Sequence, residues 1–424
     1  MTGSARSASA SARHVLTLMT GTSLAQAIAL AVSPILSRLY APEQFGVFAL
    51  YLSVVSLLAI AATGRYELAI VLPEADADAW DVCVLALLIA GAVSALTVVC
   101  VWAFGAPLAA WAGDPGIASW LYLVPIAVLL TSVTNTLGCW ANRKQRYPQL
   151  AANRLSQSAT TAAASVGFGA AGQTGLGLLW ASVLGQALSA LLFVGGLWRN
   201  ERAVVQRPSR AALRTQARRY RNFPRINLPH ALLDAAQASA LLALLGLAFG
   251  SGVLGLYAFA LRIVKTPLAI LGSSVGQVFQ QRAAQVFNQG GDLRGLVTRT
   301  TWRLAKLIAP FIVLMLFAPS LFGLVFGAAW HDAGVYALIL APWMALNFIT
   351  SPLSQLPLIV GRQGRAFAYG LAYQASMLLP YALAYALRLE ITTALALQSA
   401  LSSVVLIFYG LWLHRLSELR AEDV

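Results

Sequence analysis

Charge is what this 424-residue chain has least of. Only 10% of its residues are Asp, Glu, Lys or Arg and 59% are hydrophobic, with a mean hydropathy of +0.72; a soluble globular chain has about 25% charged residues. The shortage excludes an ordinary soluble domain and makes lipid the solvent for most of the chain. Cysteine is scarce as well. Cys83, Cys100 and Cys139 lie within or at the ends of apolar segments, with neither CxxC spacing nor histidine partners, so a disulfide framework and a zinc site are both unexpected. No nucleophile stands beside a base, and no carboxylates pair at catalytic spacing, so an enzymatic reading has nothing to carry it. Acidic residues are the scarcer sign of charge, 15 against 29 Lys and Arg, which leaves a net charge of +14.

What is present is apolar sequence in long runs. Runs able to cross a bilayer begin near Val15, Phe45, Val82, Ser119, Ala151, Thr174, Ile226, Ser251, Leu304, Gly334, Ala366 and Ile391. They predict an all-α membrane protein with about 12 transmembrane helices. The N-terminal MTGSARSASASARH and the apolar run after it also have the form of a secretory signal, with Ala29-Leu30-Ala31 as the small-residue site. Because that run continues to Ser37, an uncleaved first helix is expected. Pro34, Pro125, Pro229, Pro267, Pro310, Pro352, Pro357 and Pro380 lie in or near spans, where they bend helices whose freed carbonyls find other partners.

Basic residues fall in alternate connections: Arg6 and Arg13; Arg65; Arg143, Lys144, Arg146 and Arg154; nine arginines from Arg199 to Arg225; Arg262 to Lys306; Arg362 and Arg365; Arg415 and Arg420. Arg38 and Arg388 are the exceptions. This segregation predicts both termini in the cytoplasm. The longest connection, 199–225, divides the chain into an N-terminal lobe, 1–198, and a C-terminal lobe, 226–413, each of six spans, followed by a tail, 414–424. Its arginines have two readings, nucleic-acid binding and a linker lying on anionic headgroups; only the second needs no further assumption.

The halves echo each other. FGVFAL from Phe45 aligns with LGLYAF from Leu254, and NRKQRYPQLAANR from Asn142 with GRQGRAFAYGLAY from Gly361, which sets Arg143 and Arg146 on Arg362 and Arg365. Weak internal repeats of this kind occur in secondary transporters; convergent composition is the alternative.

Polar residues recur at helical spacing: Thr131, Asn135 and Asn142; Asn153, Gln157 and Thr160; Ser182, Gln186 and Ser189; Asn347, Ser351 and Ser354. Each set shares one helix face and serves either as interhelical glue or as the lining of a hydrated cavity. Ionisable groups within spans are costlier, at about 3 kcal/mol or more. His230, Asp234 and Gln237 stand at i, i+4 and i+7, and Arg262 and Lys265 at i and i+3. Asp234 and Lys265 form a structural pair, or the two cations attract an anionic substrate while Asp234 or His230 handles a coupling proton or cation. Two neighbouring cations suit a phosphate or diphosphate.

RYELAIVLPEADADAW, from Arg65, is a charged island. Glu74, Asp76 and Asp78 are expected in a solvated turn after Pro73. Arg65 and Glu67, two residues apart, point to different sides of a continuing helix and would not pair; Arg65 is then a headgroup anchor or a recruiter of anionic substrate.

SRLYAPEQFGVFALYLSVVSLLAIAATGRYELAIVLPEADADA resembles the first two spans of Wzx-like bacterial polysaccharide flippases of the multidrug/oligosaccharidyl-lipid/polysaccharide (MOP) exporter superfamily. So do YRNFPRINLPHALLDAAQ, LGLYAFALRIVKTPLAILGSSVGQVFQQRAA and LFGLVFGAAWHDAGVYALILAPW. The resemblance implies two six-helix lobes around a central cavity and alternating access. The cargo it implies is a polyprenyl-diphosphate-linked oligosaccharide crossing the bacterial inner membrane. It assigns the diphosphate to Arg262 and Lys265, with Arg154 and Arg38 as further candidates. Expected partners are that lipid, membrane lipids and other polysaccharide-assembly proteins, with no nucleic acid and no cofactor beyond a coupling H+ or Na+. A drug exporter of the same superfamily and an O-antigen polymerase or ligase are the alternatives; the short, nearly uncharged outer connections speak against the enzymes.

Overall fold

The computed structural model describes residues 20–111, 116–201, 206 and 208–419, and these are almost wholly helical, with no strand among them. Val15, Arg6, Arg13, Arg202, Arg207 and Arg420 lie outside the described residues. Eight helices are long and apolar enough to cross a membrane, or nine if Leu293–Leu316 and Ala318–Phe326, bent by 70°, form one broken span. That criterion does not establish the expected count of twelve, for two physical reasons. Tyr147–Ala170 and Gln363–Leu387 have the length but carry polar and basic residues. Phe223–Asn288 counts once, although Gly250 interrupts it with φ 84° and ψ 170°. Only glycine adopts that conformation readily.

The chain forms two compact units. The first comprises Met1–Tyr40 and Val47–Ser239, the second Ala41–Gly46 and Ala240–Val424.

In the first unit the helices Tyr147–Ala170 and Gly177–Asn200 approach closely through small residues. A Cβ on Gly185 would lie 2.0 Å from Thr161 Oγ1, the close-approach role small residues have between membrane helices. Asn153 Nδ2 donates to the Ser189 carbonyl at 3.0 Å, and Asn153 Oδ1 accepts from the Ser189 hydroxyl at 2.5 Å. These two members of the polar stripes are glue. A second core gathers Tyr66, Ile70, Trp80, Cys83 and Trp140, the two indoles edge to face at 5.4 Å.

The acidic turn is not merely solvated, contrary to expectation. Asp76 accepts from Arg143 Nε at 3.1 Å and Lys144 Nζ at 2.5 Å, and Arg143 also donates to the carbonyls of Ile70, Pro73 and Glu74. Arg146 and Lys144 meet the buried Glu201 at 2.6 and 3.7 Å. The basic connection docks on the same place: Gln216 Nε2 donates to Asp78 Oδ1, Tyr66 OH to the Ala217 carbonyl and Trp80 Nε1 to the Gln206 carbonyl. Part of the 199–225 connection is therefore held by protein, while Arg210, Arg214 and Arg218 stay exposed on the short helix Arg210–Arg219.

In the second unit, Phe45 wedges edge-on against Phe259 at 5.3 Å and Trp330 at 5.1 Å. The echoing glycines of the two sequence repeats meet here. A Cβ on Gly46 would sit 1.9 Å from the Ser251 carbonyl oxygen, and one on Gly255 1.8 Å from that of Pro42. Backbone touches backbone, so the repeated glycine is required at both ends of a single contact.

Candidate functional site

The second unit contains an elongated cavity of about 390 Å³ between the 251–288 helix and the stretch from Trp343 to Gln355. Gly272 and Gly276 line it, and Cβ atoms there would meet Phe348 and Pro352 only at ordinary contact distances of 3.8 and 3.5 Å. Opposite them the helix His331–Thr350 tightens into a 3-10 turn, Ser351–Gln355, with Pro352 in its first turn. That change of pitch brings Ser351, Ser354 and Gln355 into the lining, beside Asn347. Lys265 stands at the Trp343 end, its ammonium 5.8 Å from the indole centroid. Tyr373 OH accepts from both Trp343 Nε1 and Asn347 Nδ2, at 3.0 and 3.1 Å, and so orients both side chains.

Lys265 forms no salt bridge among the described residues. It is also the only charged group in the lining, which otherwise offers amides, hydroxyls and apolar surface. Ser273, Gln277, Gln280 and Gln355 line it too; the first three fall in the stretch Arg262 to Lys306, which reads from sequence as a basic connection. The signal was there: Lys265, Gly272, Gly276 and Gln280 follow helical spacing along one face.

A smaller cavity, about 200 Å³, lies in the first unit and brings together Arg65, Asn135 and Gln186 with Thr131 and Glu67. Thr131 Oγ1 donates to Gln186 Oε1 at 2.8 Å. Arg65 and Glu67 do pair, at 3.4 Å, contrary to the helical expectation. The helix Pro42–Ala62 ends before them, and Gly64 and Arg65 turn left-handed with φ 57° and 61° into the 3-10 segment Tyr66–Val71. The left-handed turn at Arg65, outside any regular helix, is what lets its side chain meet Glu67. Glu67 is buried, and its Oε2 and the Arg65 Nε have no hydrogen-bond partner among the described residues.

The remaining predicted residues are dispersed. Arg38 is exposed in the last turn of its helix, and Asn142 is exposed at the end of Val124–Arg143. Arg154 donates to Thr22 Oγ1, and Gln157 and Gln237 are half-buried. His230 and Asp234 are both exposed, 3.8 Å apart. These, like the Arg65 group, belong to the first unit, whereas Arg262, half-buried, lies with Lys265 and Asn347 in the second. No cluster of three or more His, Cys, Asp or Glu able to hold a metal occurs among the described residues.

Solved structures share the fold of this helical chain. An inward-facing multidrug-resistance MATE transporter of the MOP superfamily matches with a TM-score of 0.63 and 16% identity, over 94% of this chain and 95% of that one. The lipid II flippase MurJ, in an inward closed conformation, matches with a TM-score of 0.70 and 10% identity, over 94% and 87%. The fold is thus that of the MOP transporters. Residues 35–335 match the family described as polysaccharide biosynthesis protein, and the chain belongs to that family. No curated protein sequence matches it.

Proposed function

We propose that this protein is a flippase that carries a polyprenyl-diphosphate-linked oligosaccharide across the bacterial inner membrane by alternating access, for the synthesis of a surface polysaccharide. One observation carries the reading: Lys265 sits in a membrane span, in a cavity with no acid to balance it. An ionisable group so placed is costly unless something else compensates it. A diphosphate does so, and amides and hydroxyls suit the sugar beside it. Such a substrate has a headgroup too polar to cross hydrocarbon and a tail too apolar to leave it. The protein lowers a solvation barrier and breaks no bond.

Arg262, one helical turn from Lys265, adds a second cation. Arg38, Arg65 and Arg154 are assigned to the path of the diphosphate through the first unit. Asn135, Asn142, Gln157, Gln186, Gln237 and Asn347 are assigned to hydration of that path, and Asp234 with His230 to a coupling H+ or Na+. Both termini face the cytoplasm on the alternation of basic connections. Membership of a polysaccharide biosynthesis family and the fold shared with a lipid II flippase both support the lipid-linked cargo.

The test is purified protein in liposomes holding a fluorescent polyprenyl-diphosphate sugar. Wild type exposes the sugar to an outside reagent, whereas Arg262→Gln with Lys265→Met, folded and inserted, does not. Normal exposure in that double variant, or drug efflux with no sugar exposed by wild type, overturns the assignment.

A further inference from the structure

A second cavity in the same unit, about 490 Å³, lies between the 251–288 helix and the helix Leu293–Leu316. Three arginines line it: Arg282 from the first helix, Arg299 and Arg303 from the second, four residues apart and therefore on one face. All three are exposed. Arg299 reaches Asp292 at 4.0 Å, and neither Arg282 nor Arg303 has a salt bridge among the described residues. Apart from Ser274 and Thr300 the rest of the wall is apolar, including Val275, Val278 and Leu307. The 251–288 helix thus shows Ser273, Gln277 and Gln280 to the Lys265 cavity and Val275, Val278 and Arg282 to this one.

Arginines at a membrane edge commonly do no more than anchor a helix at the headgroups. Convergence argues for more. Three guanidinium groups in one concavity repel each other, and Asp292 offsets one of them, leaving two positive charges. A phospholipid phosphodiester brings one negative charge; a diphosphate diester brings two, on oxygens that match the guanidinium fork. The apolar half of the cavity is of no use to a free phosphate and fits an isoprenoid chain.

We infer that this groove is a docking subsite for the isoprenoid-linked diphosphate, with Arg282, Arg299 and Arg303 on the diphosphate and Val275, Val278 and Leu307 along the first isoprene units. It rests on the flippase reading and adds to it a place outside the Lys265 cavity where the lipid is held.

The test uses full-length protein in phosphatidylcholine nanodiscs with fluorescent farnesyl diphosphate as probe, in an Arg262→Gln, Lys265→Met background that removes both cations assigned to the other cavity of this unit. Adding Arg282→Gln and Arg303→Gln weakens probe binding about 10- to 100-fold, the loss of two charge-assisted contacts. Arg282→Lys with Arg303→Lys recovers part of it, and inorganic diphosphate competes only weakly. An unchanged affinity in the glutamine variant, eluting as a single species with unaltered Tm, overturns the inference. So does displacement of the probe by an equal concentration of phosphatidylglycerol, which would make the groove a general phospholipid seat. If the glutamine variant binds normally while wild type still flips the sugar lipid, only the groove falls. If the groove binds the probe but wild type flips nothing, the transport reading falls instead.

Discussion

The two units treat several of their positive charges differently. In the first, Arg65 has Glu67 at 3.4 Å, Arg143 and Lys144 share Asp76, and Arg146 holds Glu201. In the second, Lys265, Arg282 and Arg303 form no salt bridge among the described residues, nor do Arg362 and Arg365, both exposed. Arg362 and Arg365 align with Arg143 and Arg146 in the sequence echo, and the aligned arginines differ in whether an acid pairs them. A cation satisfied by its own chain is part of the architecture. A cation left unsatisfied within a span needs something from outside to balance it.

The most direct way to break that comparison is to give Lys265 an acid of its own. Asn347→Asp places a carboxylate in the same cavity lining without removing the lysine. Sugar-lipid flipping in liposomes is expected to fall about 100-fold, as far as with Lys265→Met, because the internal pair replaces the ligand. Undiminished flipping in Asn347→Asp would mean that the lysine acts on something other than an anion.

The converse experiment removes the acid from the first unit. Glu67→Gln leaves Arg65 partly buried with no counter-charge, at a cost of about 1–3 kcal/mol of stability. Thermal unfolding in detergent reads that cost. The same variant is expected to gain affinity for inorganic diphosphate by about tenfold, a second uncompensated cation having been made. No gain would show that the 200 Å³ cavity is too small or too closed to take an anion whatever its charge.

Much of this organisation was legible in the sequence, and particular residues show where legibility stopped. Apolar runs and alternate basic connections pointed to a helical membrane chain because both signals are local. The pairing of Phe45-Gly46 with Leu254-Gly255 was visible as an echo, and the structure adds why glycine stands in both: the two backbones touch. Arg65 and Glu67 were misjudged because their geometry depends on where a helix stops. Apolarity continues through Leu68 to Leu72, and only Gly64 marks the end. Lys265 and Asn347, 82 positions apart in number, line one cavity by tertiary packing. The stripe Ser273, Gln277 and Gln280 was missed because a polar helix face and a polar loop have the same composition.

The balanced edge of the first unit yields the two smaller effects. Arg143→Gln deprives the carbonyls of Ile70 and Pro73 of their donor and Asp76 of one cation, where the arginine side chain is only 11% exposed. About 2–3 kcal/mol of stability is expected to go, with flipping little changed once the protein is folded. Asp78→Asn is milder. An asparagine oxygen still accepts from Gln216 Nε2, so only the charge assistance of the 3.0 Å bond is lost. In a part-buried contact at the rim of the unit that amounts to about 0.5 kcal/mol. The melting temperature should barely move, and the ratio of the two losses is the informative quantity. A drop for Asp78→Asn as large as for Arg143→Gln would mean that the docked connection, and not the arginine, holds the charged turn in place.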